Sequence, residues 1–120
     1  MPDQTKYSGS AQRLFFPEEG IDLPFVVANK PGQVLITLDA RALTDAALID
    51  ARSYRWVHGV RGRVVVDVSH MAMINSSCCG WLVNLMRMAK PAPLAVVGAN
   101  SRVAETLHLM RLDALMKVEG

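Results

Sequence analysis

The sequence predicts a single α/β domain built on a mixed, mostly parallel sheet of four or five strands, with an N-terminal hairpin and helices packed against it. Three observations lead there. Residues 63–68 and 94–97 are short β-branched or apolar runs without the polar alternation of a half-exposed strand, so they read as central strands buried on both faces. A helix-period segment follows each run, and strand and helix in alternation favour parallel pairing. With 120 residues, 51% of them hydrophobic, the chain has enough material for one core and too little for two ordinary domains.

Taken in order, residues 1–24 carry no sustained period and read as a loosely ordered leader, with Phe15 and Phe16 placed to dock on a domain spanning 25–120. Two β-rich runs, 25–28 and 34–38, flank Asn29-Lys30-Pro31-Gly32, which predicts an antiparallel hairpin. Thr44-Asp45 reads as a cap with an acidic first turn, opening a helix through Ala46, Ala47, Leu48, Ile49, Ala51 and Tyr54 that ends near His58-Gly59. Gly62 precedes the strand at 63–68. The polar turn Asn75-Ser76-Ser77 then opens a helix with Cys78, Leu82, Leu85, Met86 and Ala89 along one face, stopped by Pro91 and Pro93. The strand at 94–97 halts at Gly98. Asn100 or Ser101 caps a helix carrying Val103, Leu107 and Met110, and a short last strand is expected at 116–118.

Charge and composition exclude several functions. Thirteen basic and 11 acidic residues, net +2, are scattered without the stripe or cluster that nucleic-acid binding requires. The opening residues lack the pattern of a signal peptide, and no run approaches the ~20 apolar residues that span a bilayer, so the chain reads as cytosolic and not inserted in a membrane. Cys78 and Cys79 are adjacent and cannot staple distant segments. Their expected state is reduced, with Cys78 a small core residue. His58, His70 and His108 are scattered, so neither a metal site nor a cofactor is expected. A hydrolytic trio can be drawn from Ser76, His108 and Asp67. However, no Gly-x-Ser-x-Gly elbow and no glycine-rich phosphate loop is present, and Asp67 reads as a strand-end residue bonded to nearby backbone.

What remains is the stretch from Val64 to Leu82. An apolar strand ends at Asp67-Val68-Ser69, a loop follows with Met71 and Met73, and Asn75-Ser76-Ser77-Cys78-Cys79-Gly80-Trp81 leads into a helix. Such a turn presents serine hydroxyls and free N–H groups where the helix dipole favours negative charge. In order of elements and in this motif, residues 64–118 resemble the STAS family of bacterial anti-sigma factor antagonists and transporter tails, and the arrangement of residues 25–63 is similar. Asn75 stands where that family has aspartate, and Cys78 where it has glycine.

The resemblance implies a regulatory protein-binding module without catalysis of its own. Its phosphoacceptor would be Ser76, with Ser77 the second choice. Its partners would be an anti-sigma factor that is also a serine kinase of histidine-kinase-like ATPase fold, and an opposing serine phosphatase. Contact with partners is expected through Met71, Met73, Asn75, Ser76, Ser77, Cys78 and Trp81. An alternative is an unphosphorylated STAS subunit of a larger assembly such as a lipid-transporting ATPase complex.

Overall fold

The computed structural model describes residues 14–44 and 46–119. Five strands form one sheet in the order in which they occur along the chain: β1 (Phe25–Lys30), β2 (Gln33–Leu38), β3 (Arg63–Asp67), β4 (Leu94–Val97) and β5 (Lys117–Val118). The first pair is antiparallel and the rest are parallel, so the mixed, mostly parallel sheet expected from the sequence is present. The hairpin ladder runs up to Lys30 opposite Gln33, which leaves Pro31 and Gly32 as the turn. Proline presets the first turn position, and Gly32 takes φ 75° at the second. Its carbonyl accepts from Arg63 N at 3.1 Å, tying the turn to the start of β3.

The core lies on one face of this sheet. Val34, Ile36 and Leu38 of β2, Val64 and Val66 of β3, and Leu94 and Val96 of β4 join the buried residues of helices α1 (Ser76–Ala89) and α2 (Ser101–Leu109) in one cluster. Val65 and Ala95 are also buried but stand apart from it, as alternation along a strand requires. Val64, Val65 and Val66 are each no more than 3% exposed, which matches the reading of 63–68 as a central strand.

The helix predicted from the Thr44-Asp45 cap to near His58-Gly59 is not an α-helix. The chain instead makes four short 3₁₀ segments, Ala40–Leu43, Ala46–Ile49, Ala51–Ser53 and Arg55–Val57. Competing side-chain bonds account for this. The Asp39 and Asp50 carboxylates accept from the Arg41 and Arg52 backbone N–H groups at 2.9 Å, restarting the chain twice. The single Ser53 hydroxyl proton is shared between Leu48 O and Asp50 O, at 3.0 and 2.7 Å, and so stands in for the Arg52 N–H that a regular helix would have given to Leu48 O. Asp45 of the predicted cap lies outside the described residues. The segment still does a helix's packing work, burying Ala42, Leu48 and Val57 beside α1.

Of the leader expected at 1–24, residues 1–13 lie outside the described residues. From Leu14 onward the chain packs on the sheet: Phe15, Leu23 and Pro24 are buried, whereas Phe16 is 53% exposed. The Asn29 side chain holds Phe15 in place, its Oδ1 accepting from Phe15 N at 2.9 Å and its Nδ2 donating to Phe15 O at 3.0 Å.

Candidate functional site

The candidate site lies where β3 and β4 end and α1 and α2 begin. Beyond β3, Val68 N donates to Val97 O at 2.9 Å, and Asp67 Oδ1 accepts from Ser69 N at 2.8 Å. Asp67 is therefore the strand-end residue bonded to backbone that its position suggested. Gly98, at φ 75°, passes so near that a Cβ on it would lie 2.8 Å from Ser69 Cβ and 2.9 Å from Asp67 Oδ1. The two strand ends touch without room for a side chain between them.

Two asparagines then fix the loop. Asn75 caps α1, its Oδ1 accepting from Cys78 N at 3.0 Å, while its Nδ2 donates to Leu43 O at 3.1 Å. Asn100 caps α2 in the same way, with Val103 N at 2.8 Å, and its Nδ2 donates across the surface to Met71 O and Ala72 O at 3.3 and 3.2 Å. Each amide thus spends its oxygen on its own helix and its nitrogen on a neighbouring segment. An aspartate at either place would have no proton to donate. The loop-holding role of Asn100 is invisible in sequence, because a caps-only reading leaves its Nδ2 unassigned.

Ser76 and Ser77 occupy the first turn of α1 with their side chains exposed, beside the half-buried Asn75 and the 36% exposed Met73. That first turn carries no acidic residue. An added phosphate there meets the positive end of the helix dipole and no local carboxylate on its own turn. These four residues form the accessible part of the expected docking surface.

The other three expected contacts are corrected by burial. Met71 is 2% exposed and Cys78 0%, packed into the core, with Cys78 Sγ 3.7 Å from Ala42 O. Trp81 is 1% exposed and is no surface anchor. Its ring lies tilted by 32° with its centroid 5.4 Å from that of Phe25, and its Nε1 donates to Ser53 O at 3.1 Å. The Trp56 indole donates to the same carbonyl at 2.9 Å, so buried Ser53 is a hub that no motif announces. Phe25 of the hairpin covers Trp81.

Burial also pushes both thiols, Cys78 and Cys79, above the ordinary cysteine value, and both are free. The hydrolytic trio is not assembled: Asp67 is bonded to Ser69 N, and His108 Nδ1 lies 2.8 Å from Asp113 Oδ2. Among the described residues no cluster of His, Cys, Asp or Glu could hold a metal ion, and no helix is long and apolar enough to cross a membrane.

Residues 27–118 match the family described as "Mlab, STAS domain". Among solved structures, a Thermotoga maritima protein assigned as an anti-sigma factor antagonist is similar in its crystal form, with TM-score 0.65 and 19% identity over 80% of this chain and 86% of that one. The NMR structure of the same Thermotoga protein gives TM-score 0.66 at 19% identity, covering 92% and 89%. A Ser-to-Glu variant of RsbS from Moorella thermoacetica gives 0.64 at 18% identity, covering 80% and 85%. No curated protein matches the chain in sequence. At these identities the structures establish the shared fold.

Proposed function

The chain belongs to the STAS domain family, and on that footing we propose that it is a cytoplasmic protein-binding regulator of the anti-sigma factor antagonist type, switched by phosphorylation of Ser76. Its partner is an anti-sigma factor that doubles as a serine kinase of histidine-kinase-like ATPase fold, and a serine phosphatase reverses the mark. The observation that carries this reading is the exposed pair Ser76 and Ser77 on the first turn of a helix whose entry is pinned by Asn75. Unmodified, this turn and Met73 offer a nearly neutral face that a partner can cover. Phosphorylation adds roughly −1.5 to −2 charge at its centre, which a partner face must desolvate or repel. The protein is substrate and ligand in this scheme, with no catalysis of its own.

Incubation with the kinase encoded nearby and ATP, followed by mass spectrometry, tests the scheme. Phosphate on Ser76, or on Ser77 as second acceptor, is expected, and Ser76→Glu should weaken kinase binding at least about tenfold. A protein left unphosphorylated at both serines would defeat it.

One observation favours a second reading, in which the domain is an unphosphorylated subunit of a larger assembly such as a lipid-transporting ATPase complex. Asn75, standing where the family has aspartate, is committed through Nδ2 to Leu43 O, so it serves structure in a way the acidic residue cannot. A stoichiometric complex isolated from the host and unchanged by Ser76→Glu would support that reading over the first.

A further inference from the structure

A groove of about 650 Å³ opens at the end of the sheet opposite the serines. β3 runs from Arg63 beside this groove to Asp67 at the candidate site, so about 15 Å of strand separates the two. Three segments line it: the chain entering at Leu14 and Phe15, the hairpin turn, and the loop at 59–62. Contacts within the fold fix their positions. Asn29 holds Phe15 through both ends of its amide. A Cβ on Gly62 would run into the Gly32 carbonyl, so loop and turn close on one another there and the groove is preformed. Phe15, Val34 and Val60, none more than 9% exposed, make its floor apolar.

The rim is polar in one sense only. Among the described residues it carries the exposed cations Lys30 and Arg61 and no acidic residue, and neither cation has an ion pair. Each side-chain oxygen of the described lining already accepts a hydrogen bond, Asn29 Oδ1 from Phe15 N at 2.9 Å and Gln33 Oε1 from Arg63 Nε at 3.1 Å. The side-chain groups left open to a ligand are donors: the Lys30 ammonium, the Arg61 guanidinium and Gln33 Nε2. An apolar floor beneath a cationic, donor-only rim complements a molecule that is apolar along its length and anionic at one end. The volume lies within the roughly 300–1,000 Å³ of small-molecule sites.

We infer that this groove binds a single-chain amphiphile with an anionic head, carboxylate or phosphate, on a face independent of the serine surface. Its chain lies over Phe15, Val34 and Val60, and its head takes hydrogen bonds from Arg61, Lys30 and Gln33. Charge decides against the two occupants nearest at hand. Residues 1–13, which enter the domain at Leu14, carry Lys6 and Arg13 against Asp3 alone. A two-fold contact between copies through the groove would set Lys30 and Arg61 of one against the same cations of the other.

The test is an amide NMR titration of the full chain with octanoate, octyl phosphate, octanol and octyltrimethylammonium, all as monomers in solution. Shifts are expected at Gly32, Val60 and Gly62, with one or both anions binding at least about tenfold more tightly than octanol and the cation not at all. Preference between the two anions identifies the head. Lys30→Gln combined with Arg61→Gln should weaken anion binding by about tenfold or more; added salt should weaken it too, and Ser76→Glu should leave it unchanged. Both cations are exposed, so the thermal melt of the double variant should match the parent. Failure of both anions to bind, octanol binding as tightly, or a double variant that binds them normally overturns the inference. So does equal binding of acetate and inorganic phosphate, which would leave the apolar floor without a role. Cross-peaks from residues 1–13 to Val60, or shifts of the same amides on dilution without ligand, would put the leader or a second copy in the groove and overturn it. Binding confined to phosphatidylglycerol vesicles would do the same in favour of a membrane surface. Failure of Ser76 phosphorylation leaves these readouts untouched.

Discussion

Asn75 has both ends of its amide in use, and that double duty separates it from the aspartate found at this place in the family. Asn75→Asp keeps the cap acceptor for Cys78 N but sets a carboxylate against Leu43 O, which loses its donor. Denaturant unfolding should show a loss of about 1–3 kcal/mol, the range for a buried or half-buried polar group left unpaired. An unchanged midpoint would mean that water replaces the bond. His108 offers a second measurement at this scale. Hydrogen bonding to Asp113 raises its pKa above the usual 6.5. Because the folded value is the higher one, the pair stabilises the fold fully below about 6.5 and loses that contribution as pH rises through the raised value. An NMR titration should show the upward shift and its disappearance in Asp113→Asn. Both groups are well exposed, so the shift should shrink with salt.

Among the elements, glycines with different neighbours should respond in opposite directions. Gly98→Ala forces a methyl between Asp67 and Ser69 at φ 75°, and a stability loss of about 1–3 kcal/mol is expected. Gly80, within α1, has open space where a Cβ would go, so Gly80→Ala should gain about 0.5–1 kcal/mol. Equal effects in thermal melts would contradict the surroundings assigned to the two glycines. The strands and both α-helices were legible because β3 and β4 are short apolar runs and both helices open on asparagine caps. The 3₁₀ region was not. Apolar spacing from Ala46 to Tyr54 suits a helix, and only the spatial choice of Asp50 for Arg52 N and of Ser53 for Leu48 O breaks it. The serines of the candidate site could be read from the motif, whereas Cys78 and Trp81 are buried against Ala42 and Phe25, which are remote in sequence.

For the molecule as a whole, the vicinal thiols report on opening. Cys78 and Cys79 are 0 and 3% exposed, and burial raises both pKa values, so a disulfide reagent at neutral pH should label neither in the native protein. Labelling should appear in step with unfolding by denaturant. Rapid native-state modification would show that the start of α1 opens locally. Strand order carries a different consequence. Since the described strands β1 to β5 lie side by side in chain order, each strand after the first meets a partner synthesised before it, and none of them must insert between two that have paired. The sheet can grow in one direction as the chain leaves the ribosome, its hairpin acting as the seed and β5 as the final addition. The surface waiting at each stage is the outer edge of the most recent strand, and the next strand in line is the segment that closes it.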